Sequence, residues 1–298
     1  MPGERKINRV NESKRTILIS SYRDFSIRYL IYTDIFKVLQ ENFDTLIVLV
    51  KDCDVEYYKK HLASSNVLIE PVLYEQSLSI LKGSLVARLF VILRKCISGN
   101  QGGFFNSTDA SRVFLYRKEF QGERLRYRLT LEAVILVASV ARRFRTIRYL
   151  ILKVESLIFP GKHYDAYLDK YKPEVVVTSS LGYMIDPLLM RAARRKNICT
   201  ASVIHSWDNT STKDYRGALP DKVVTWNSIM AKEVEIFHDI DKSNIFVGGI
   251  AHWDSFFCKS DSEEEKRENP FLEIGCSEDR PIIYYGTSSY KIFPGTID

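Results

Sequence analysis

At 298 residues the chain has room for one large domain or two modest ones. Its 45% hydrophobic and 27% charged residues exclude a disordered or fibrous chain. The net charge of +6 is uneven: residues 112–153 hold 11 Lys or Arg against 3 Glu, so this segment carries +8 and the remainder −2.

Five scattered cysteines, with no CxxC pair, fit a reducing compartment better than a disulfide framework. The opening MPGERKINRVNESKRTI is polar and basic, without the apolar stretch of a signal peptide. The cytoplasm is therefore expected.

After a flexible start (1–14), RTILIS (15–20) reads as a buried strand and SYRDFSIRY as the loop behind it. Residues 27–41 place Ile27, Leu30, Ile31, Ile35, Val38 and Leu39 on one helical face. TLIVLVK (45–51) is a second strand, DVEYYKKHLAS a helix and NVLIEPVL a third strand. Unbroken apolar strands alternating with helices predict an α/β fold: a parallel sheet covered on both faces. The middle, 81–160, breaks the alternation. Residues 81–97 and 123–153 are helical in period, with a Gly-rich polar loop at 99–109 between them, giving a basic helical insertion. Its most apolar run, LTLEAVILVASVA, is too short to span a bilayer, so it is a core helix or a membrane-surface helix.

Alternation returns at PEVVVTSS (173–180), followed by a helix over 183–196 and a strand at ICTASVI. DKVVTW and NIFVGG are two further strands, with the helix NSIMAKEVEIFH between them. The first domain thus runs 15–257. KSDSEEEKREN begins a charged linker, 258–280, and RPIIYYGTSS gives one new strand within 281–298.

In open parallel sheets ligands bind beyond the carboxyl ends of the strands. The loops there are 20–26, 178–183, 205–217, 226–227 and 248–254. HSWDNTSTK, starting at His205, offers an aromatic platform, amides, hydroxyls and a cation, groups that suit a sugar, a polyol phosphate or a nucleotide. The competing reading is that Asp208, Asn209 and Thr210 cap a helix or turn. Gly248 and Gly249 either admit a ligand close to the backbone or make a plain turn.

Other motifs carry less. DCD (52–54) has the form that metal-dependent sugar transferases use, but a three-residue match is common and this one can cap the next helix. DIDKSN (239–244) starts like a calcium loop, yet has Asn244 where Gly is needed and Ile250 in place of the bidentate Glu. The histidines show no metal-ligand spacing, so no metal is expected. Cys199 falls in a strand, which predicts a buried apolar role. There is no P-loop and no GxSxG. The basic helices lack any nucleic-acid motif; Arg142, Arg143 and Arg145 beside an apolar stretch suit an anionic membrane surface, against the alternative of a solvated face.

The order strand-TSS, D-x-LL-x-x-A, strand, SWDNTSTK, DKVVTWN, helix ending in His, then V-G-G-x-x-x-x-D over 173–254 resembles bacterial and archaeal surface-polysaccharide glycosyltransferases. These are similar to CDP-glycerol glycerophosphotransferases and, more distantly, to UDP-N-acetylglucosamine 2-epimerases. The loop SYRDFSIRYL looks like theirs too; the helices of 81–160 match nothing in the family. The resemblance implies a GT-B arrangement of two Rossmann-like domains, with a glycan or lipid-linked acceptor on the first. A nucleotide-activated sugar or polyol phosphate serves as donor on the second, without metal. It places Ser206, Trp207, Asp208, Asn209, Thr210 and Lys213 at the cleft, facing Arg23 and Ser179. His205 and Asp208 are by type the side chains to take a proton from an acceptor hydroxyl. Only nine residues follow GTSS, against the well over a hundred of a donor half, so the chain is expected to be incomplete for catalysis alone: a truncated reading frame, half of a split enzyme completed by a further donor-domain chain, or a remnant. The alternatives are an epimerase-like enzyme and a non-catalytic membrane- or carbohydrate-binding module.

Overall fold

Four β-branched and leucine-rich runs, with Glu70 their one charged residue, set the centre of the molecule. Thr16–Ser20 (β1), Thr45–Val50 (β2), Val67–Pro71 (β3) and Val175–Thr178 (β4) pair in register, Ile17 against both Leu46 and Val175. Cys199–Val203 (β5), Lys222–Thr225 (β6) and Ile245–Val247 (β7) extend the sheet. All neighbours are parallel, in the order β3-β2-β1-β4-β5-β6-β7, so the fold is a Rossmann-like α/β sheet. Alternate residues feed two cores: Ile17, Ile19, Leu46 and Val48 on one face, and Leu18, Ile47, Leu49 and Val176 on the other. The structure is a computed structural model and describes residues 14–97 and 109–257. Nearly all of the expected N-terminal tail (1–14) and Gly-rich loop (99–109), and all of the linker (258–280) and C-terminal strand (281–298), fall outside them.

Several predicted helices are each two helices. The span 27–41 divides into Asp24–Leu30 (α1) and Asp34–Asn42 (α2), because Thr33 is extended and its hydroxyl donates to the carbonyl of Tyr29 at 2.9 Å. Val38 is consequently exposed rather than on the apolar face. After Val55–Leu62 (α3), the segment around 81–97 starts earlier than its periodicity indicates. It forms Tyr74–Gly83 (α4) and Leu85–Ile97 (α5), bent by 89° at an extended Ser84. Asp52 of the DCD motif accepts the Tyr74 backbone N–H at 3.0 Å, so it caps α4 rather than the next helix, α3. Beyond Asp109–Glu119 (α6), the long basic segment is broken by an extended Phe144 into Leu125–Arg143 (α7) and Arg145–Ile158 (α8). Arg148 fills the break: its Nη1 donates to the carbonyls of Ala141 and Arg142 at 2.9 and 2.7 Å, satisfying groups that a helix end leaves unpaired. Asp165–Tyr171 (α9), which the sequence reading omits, precedes β4. The helix after β4 starts at Asp186, not at 183 (Asp186–Arg195, α10), and Ser228–His238 (α11) links β6 to β7. Cys199 is exposed, contrary to the buried role expected of it, because it is the first residue of β5 and lies at the sheet's rim. No single described helix is long and apolar enough to cross a membrane. A second compact unit begins at Trp253, and of it only 253–257 is described.

The helical insertion lies within the β3-to-β4 crossover and has a core of its own, built on Ile92, Ile97, Leu131, Ala138 and Leu152. It is locked to the sheet domain by charge. Arg94 of α5, Glu155 of α8 and Arg191 of α10 are each 98% or more out of solvent, and Glu155 Oε1 lies 3.2 Å from Arg94 Nη1 and 2.8 Å from Arg191 Nη2. Removing the one carboxylate leaves two buried guanidinium groups facing each other. Glu155→Gln is therefore expected to lower stability by about 3–5 kcal/mol in chemical denaturation. A loss under about 1 kcal/mol would show that the triad does not hold the two parts together.

Candidate functional site

The chain leaves β1 toward β2 and leaves β4 toward β5, so the loops after these two neighbours part and open a crevice at the carboxyl edge of the sheet. The loop after β1 contributes Ser20 to Arg23; the loop after β4 contributes Ser179 to Met184; His205 arrives on the end of β5. Two glycines bring the walls together. Gly182 has φ of 90°, and a Cβ on Gly217 would lie 2.0 Å from the Gly182 carbonyl oxygen, so neither position admits a side chain without movement. Met184, next in the same loop, is held in the left-handed region at φ 56°, a strained conformation for a residue with a side chain.

At the floor sits Asp186, 1% exposed. Its Oδ1 accepts from Ser20 Oγ at 3.1 Å and its Oδ2 from Ser180 Oγ at 2.5 Å. Burial pushes its pKa up to about 6, with the Ser180 hydroxyl, the Arg23 charge and the Ser20 hydroxyl pulling the other way. Above it Arg23 places its guanidinium 5.2 Å from the centre of the Tyr183 ring. Its backbone is fixed by Ser26, whose Oγ donates to the Arg23 carbonyl at 2.7 Å and accepts the Arg23 N–H at 3.2 Å. Buried Tyr22 OH and Ser179 Oγ have no hydrogen-bond partner among the described residues, a state that costs about 1–3 kcal/mol per group when a polar partner is absent.

His205 Nδ1 lies 2.6 Å from the Ser179 carbonyl oxygen. A carbonyl only accepts, so Nδ1 carries the proton and Nε2 presents a lone pair. Burial lowers the pKa of His205, and the nearby positive charge of Arg23 acts in the same direction, so the ring is neutral at pH 7. Phe25 stacks against it at 6.4 Å.

The 206–213 loop divides its residues between two jobs. Trp207 is 69% exposed and presents its ring outward. Asp208 accepts from Ser206 Oγ and from Thr212 Oγ1 at 3.2 Å, with Lys213 Nζ 4.0 Å away, which both orders the turn and fixes the carboxylate near His205. Asn209 and Thr210 face inward: the Thr210 hydroxyl donates to Glu233 and its carbonyl is bound by His238 Nε2 at 2.8 Å. The structure thus gathers Arg23, Ser179, His205, Ser206, Trp207, Asp208 and Lys213 on one side of the sheet and seats Asn209 and Thr210 beneath them against α11.

The other two candidate loops are structural. Asn227 Oδ1 caps α11 through the Met230 N–H at 2.9 Å. The Gly249 carbonyl is taken by Tyr29 OH at 2.9 Å, under a stack of Tyr29, Trp226 and His252. The arginines assigned to a membrane lie on the insertion, away from the crevice. Arg142 Nε donates to the Cys96 carbonyl at 2.7 Å, Arg145 pairs with Asp241 at 2.7 Å, and Arg143 is exposed. Among the described residues no cluster of three His, Cys, Asp or Glu is disposed to hold a metal. Asp186 and Tyr183 are site residues that sequence reasoning passed over; the D of D-x-LL-x-x-A, four residues after the Gly of a Ser-Ser-Leu-Gly loop, was the available signal.

No family model, curated protein or solved structure matches the chain.

The buried acid leaves a thermodynamic signature. Between pH 3.8 and about 6 the unfolded chain has lost the Asp186 proton while the folded chain keeps it, so this group's contribution to stability falls as pH rises through that window and is flat above about 7. Buried His238, held down to about 4, acts in the opposite sense over an overlapping range, so the comparison needs a variant. Asp186→Asn should gain on the wild type by ~3 kcal/mol between pH 4 and pH 7 in urea unfolding. A difference independent of pH would mean that Asp186 titrates normally.

Proposed function

We propose that the chain is glycosyltransferase-like: the acceptor-side Rossmann-like domain of a GT-B enzyme of cell-surface polysaccharide synthesis. The observation that carries the reading is His205, neutral, with Nδ1 committed to a backbone carbonyl and Nε2 available, between a cation at Arg23 and a carboxylate at Asp208. That is the arrangement a base needs to accept a proton from a hydroxyl. In the proposed step the acceptor O–H proton passes to His205 Nε2 and the acceptor oxygen bonds to the donor carbon or phosphorus. The donor's bond to its nucleotide breaks, and the nucleotide leaves with the electron pair. Arg23 and Lys213 suit the negative charge of a phosphate, Trp207 offers a stacking face to a sugar, and Ser179 and Tyr22 offer hydroxyls. A cavity of about 340 Å³ that shares Met184 with the loop after β4 has apolar walls at Leu78, Leu81 and Ile92 and charged ones at Lys82, Lys95 and Asp214, which suit a lipid-linked acceptor with an apolar part and a polar head.

Fluorescence titration with short glycans and polyol phosphates should give a saturable Trp quench that Trp207→Phe removes. His205→Gln should leave that binding within about threefold while lowering transfer from nucleotide-activated donors by about 10²–10⁴. Transfer unchanged in His205→Gln would remove it as the base, and the absence of saturable binding across the panel would end the transferase reading.

A second reading concerns attachment and is favoured by the outer face of the insertion. Leu125, Leu129, Leu136 and Val140 of α7 and Leu150 and Leu157 of α8 are all exposed, beside exposed Arg124, Arg128, Arg143 and Lys153. Apolar side chains edged by cations suit an anionic bilayer surface. Co-sedimentation with phosphatidylglycerol vesicles should fall about tenfold or more in Leu136→Asp/Leu157→Asp; equal binding by the variant, or none by the wild type, rejects the membrane surface.

A further inference from the structure

At the opposite end of the strands, where the insertion meets the amino edge of the sheet, there is a cavity of about 600 Å³. That is the size of a small-molecule site. Asp221 and Lys222 stand at the start of β6, Asn244 just before β7, and Arg194 in the last turn of α10. Its walls hold four cations, Arg145, Arg194, Arg216 and Lys222, against three carboxylates, Asp221, Asp239 and Asp241.

Every one of those carboxylates is already engaged. Asp221 pairs with Arg194 and accepts from Thr200 Oγ1 at 2.8 Å; Asp241 pairs with Arg145. Asp239 receives both Arg148 Nε and Nη2, at 2.6 and 2.7 Å, and Tyr215 OH at 2.8 Å. Among the described residues Lys222 Nζ has only the Asn244 amide oxygen at 2.9 Å and the face of Phe246. Arg216 has least of all. It is 6% exposed, its Nε has no hydrogen-bond partner, and it forms no ion pair among the described residues. Its contact is the Tyr215 ring, 5.8 Å away, and Asp239 senses its charge only through space. A buried guanidinium with no direct counter-charge is destabilising, and an anion entering the cavity offsets that penalty.

We propose that this cavity binds a small phosphate-bearing molecule, with Arg216 as the buried anchor and Lys222 at the rim. A guanidinium fork matches two phosphate oxygens and an ammonium serves as a point charge, while Tyr149 and Thr146 of α8 leave space for the organic part. The site does not depend on the transferase reading, since it lies across the sheet from His205. Both ends of the 205–217 connection are nevertheless involved, His205 at one edge and Arg216 near the other, so occupancy here bears on the loop that carries Trp207 and Asp208.

The test is thermal unfolding and calorimetric titration of the whole chain with inorganic phosphate, glycerol 3-phosphate and phosphatidic-acid vesicles, sodium chloride holding ionic strength constant. A saturable rise in Tm with phosphate or glycerol phosphate, not matched by chloride, is expected. A response confined to the vesicles would assign the phosphate to a lipid headgroup. Arg216→Gln should weaken binding about tenfold or more, and Lys222→Gln about threefold to tenfold with the ligand-free Tm nearly unchanged. Should Arg216→Gln fail to fold, Lys222→Gln decides. No saturable response to any of the three probes, or wild-type affinity in the variants, overturns the site.

Discussion

The buried triad of Arg94, Glu155 and Arg191 is the interaction on which the rest of this molecule depends. It joins three helices from two parts of the chain, and its reach extends past the charges themselves. Arg191 Nη2 donates to the Gly217 carbonyl at 2.5 Å, and the Gly217 N–H donates to the Leu181 carbonyl at 3.3 Å. One ion cluster therefore fixes the helical insertion, the end of the 205–217 connection and the loop after β4. Two arginines on one carboxylate leave a positive excess in a place where water does not reach, an arrangement a purely stabilising interface would not need. What it secures is registry: the Gly182–Gly217 approach leaves no room for a side chain, so the loops must meet at one position and no other.

A second polar chain does the same work lower in the molecule. Arg148 closes the α7–α8 break and grips Asp239; Asp239 accepts from Tyr215; Tyr215 stacks on His238 at 6.3 Å; and His238 binds the Thr210 carbonyl. The backbone under Trp207 and Asp208 is thus tied to the insertion through a charge-assisted fork, a ring stack and a neutral hydrogen bond rather than by apolar contact alone. Thr210 and Asn209, which look like ligand-binding residues in a string of polar letters, belong to this support.

That distinction marks the limit of what the sequence discloses. The strands are legible because a parallel sheet covered on both faces demands uninterrupted apolar runs, and TILIS and TLIVLV have no other use. Helix breaks are not, since Thr33, Ser84 and Phe144 are ordinary residues with nothing in their type to demand an extended backbone. The crevice was located by a topological rule, which holds whatever side chains line it. The orientation of each side chain was not: Asp186 is an unremarkable first-turn acid until β1 delivers Ser20 to it from 166 residues away. Arginines close together in the sequence part company for a related reason. Arg145 and Arg148 sit within four residues of each other, yet one is exposed and paired to Asp241 while the other is buried in the Asp239 fork.

The electrostatics of the two sheet edges differ in kind, and the difference follows from burial. At the carboxyl edge the ionisable groups are driven toward neutrality: Asp186 holds its proton up to about pH 6, and His205 resists gaining one. Arg23 lies against the Tyr183 ring within reach of the Asp186 charge, and Lys213 lies beside Asp208, so the crevice presents hydrogen-bonding groups and cations to a ligand. At the amino edge, guanidinium groups cannot be neutralised by losing a proton. Arg216 stays charged, and with each neighbouring carboxylate already bound to another partner, it has only the through-space attraction of Asp239. An acid can escape burial by holding its proton, but an arginine cannot escape by losing one, and so the amino edge carries the stronger demand for a ligand.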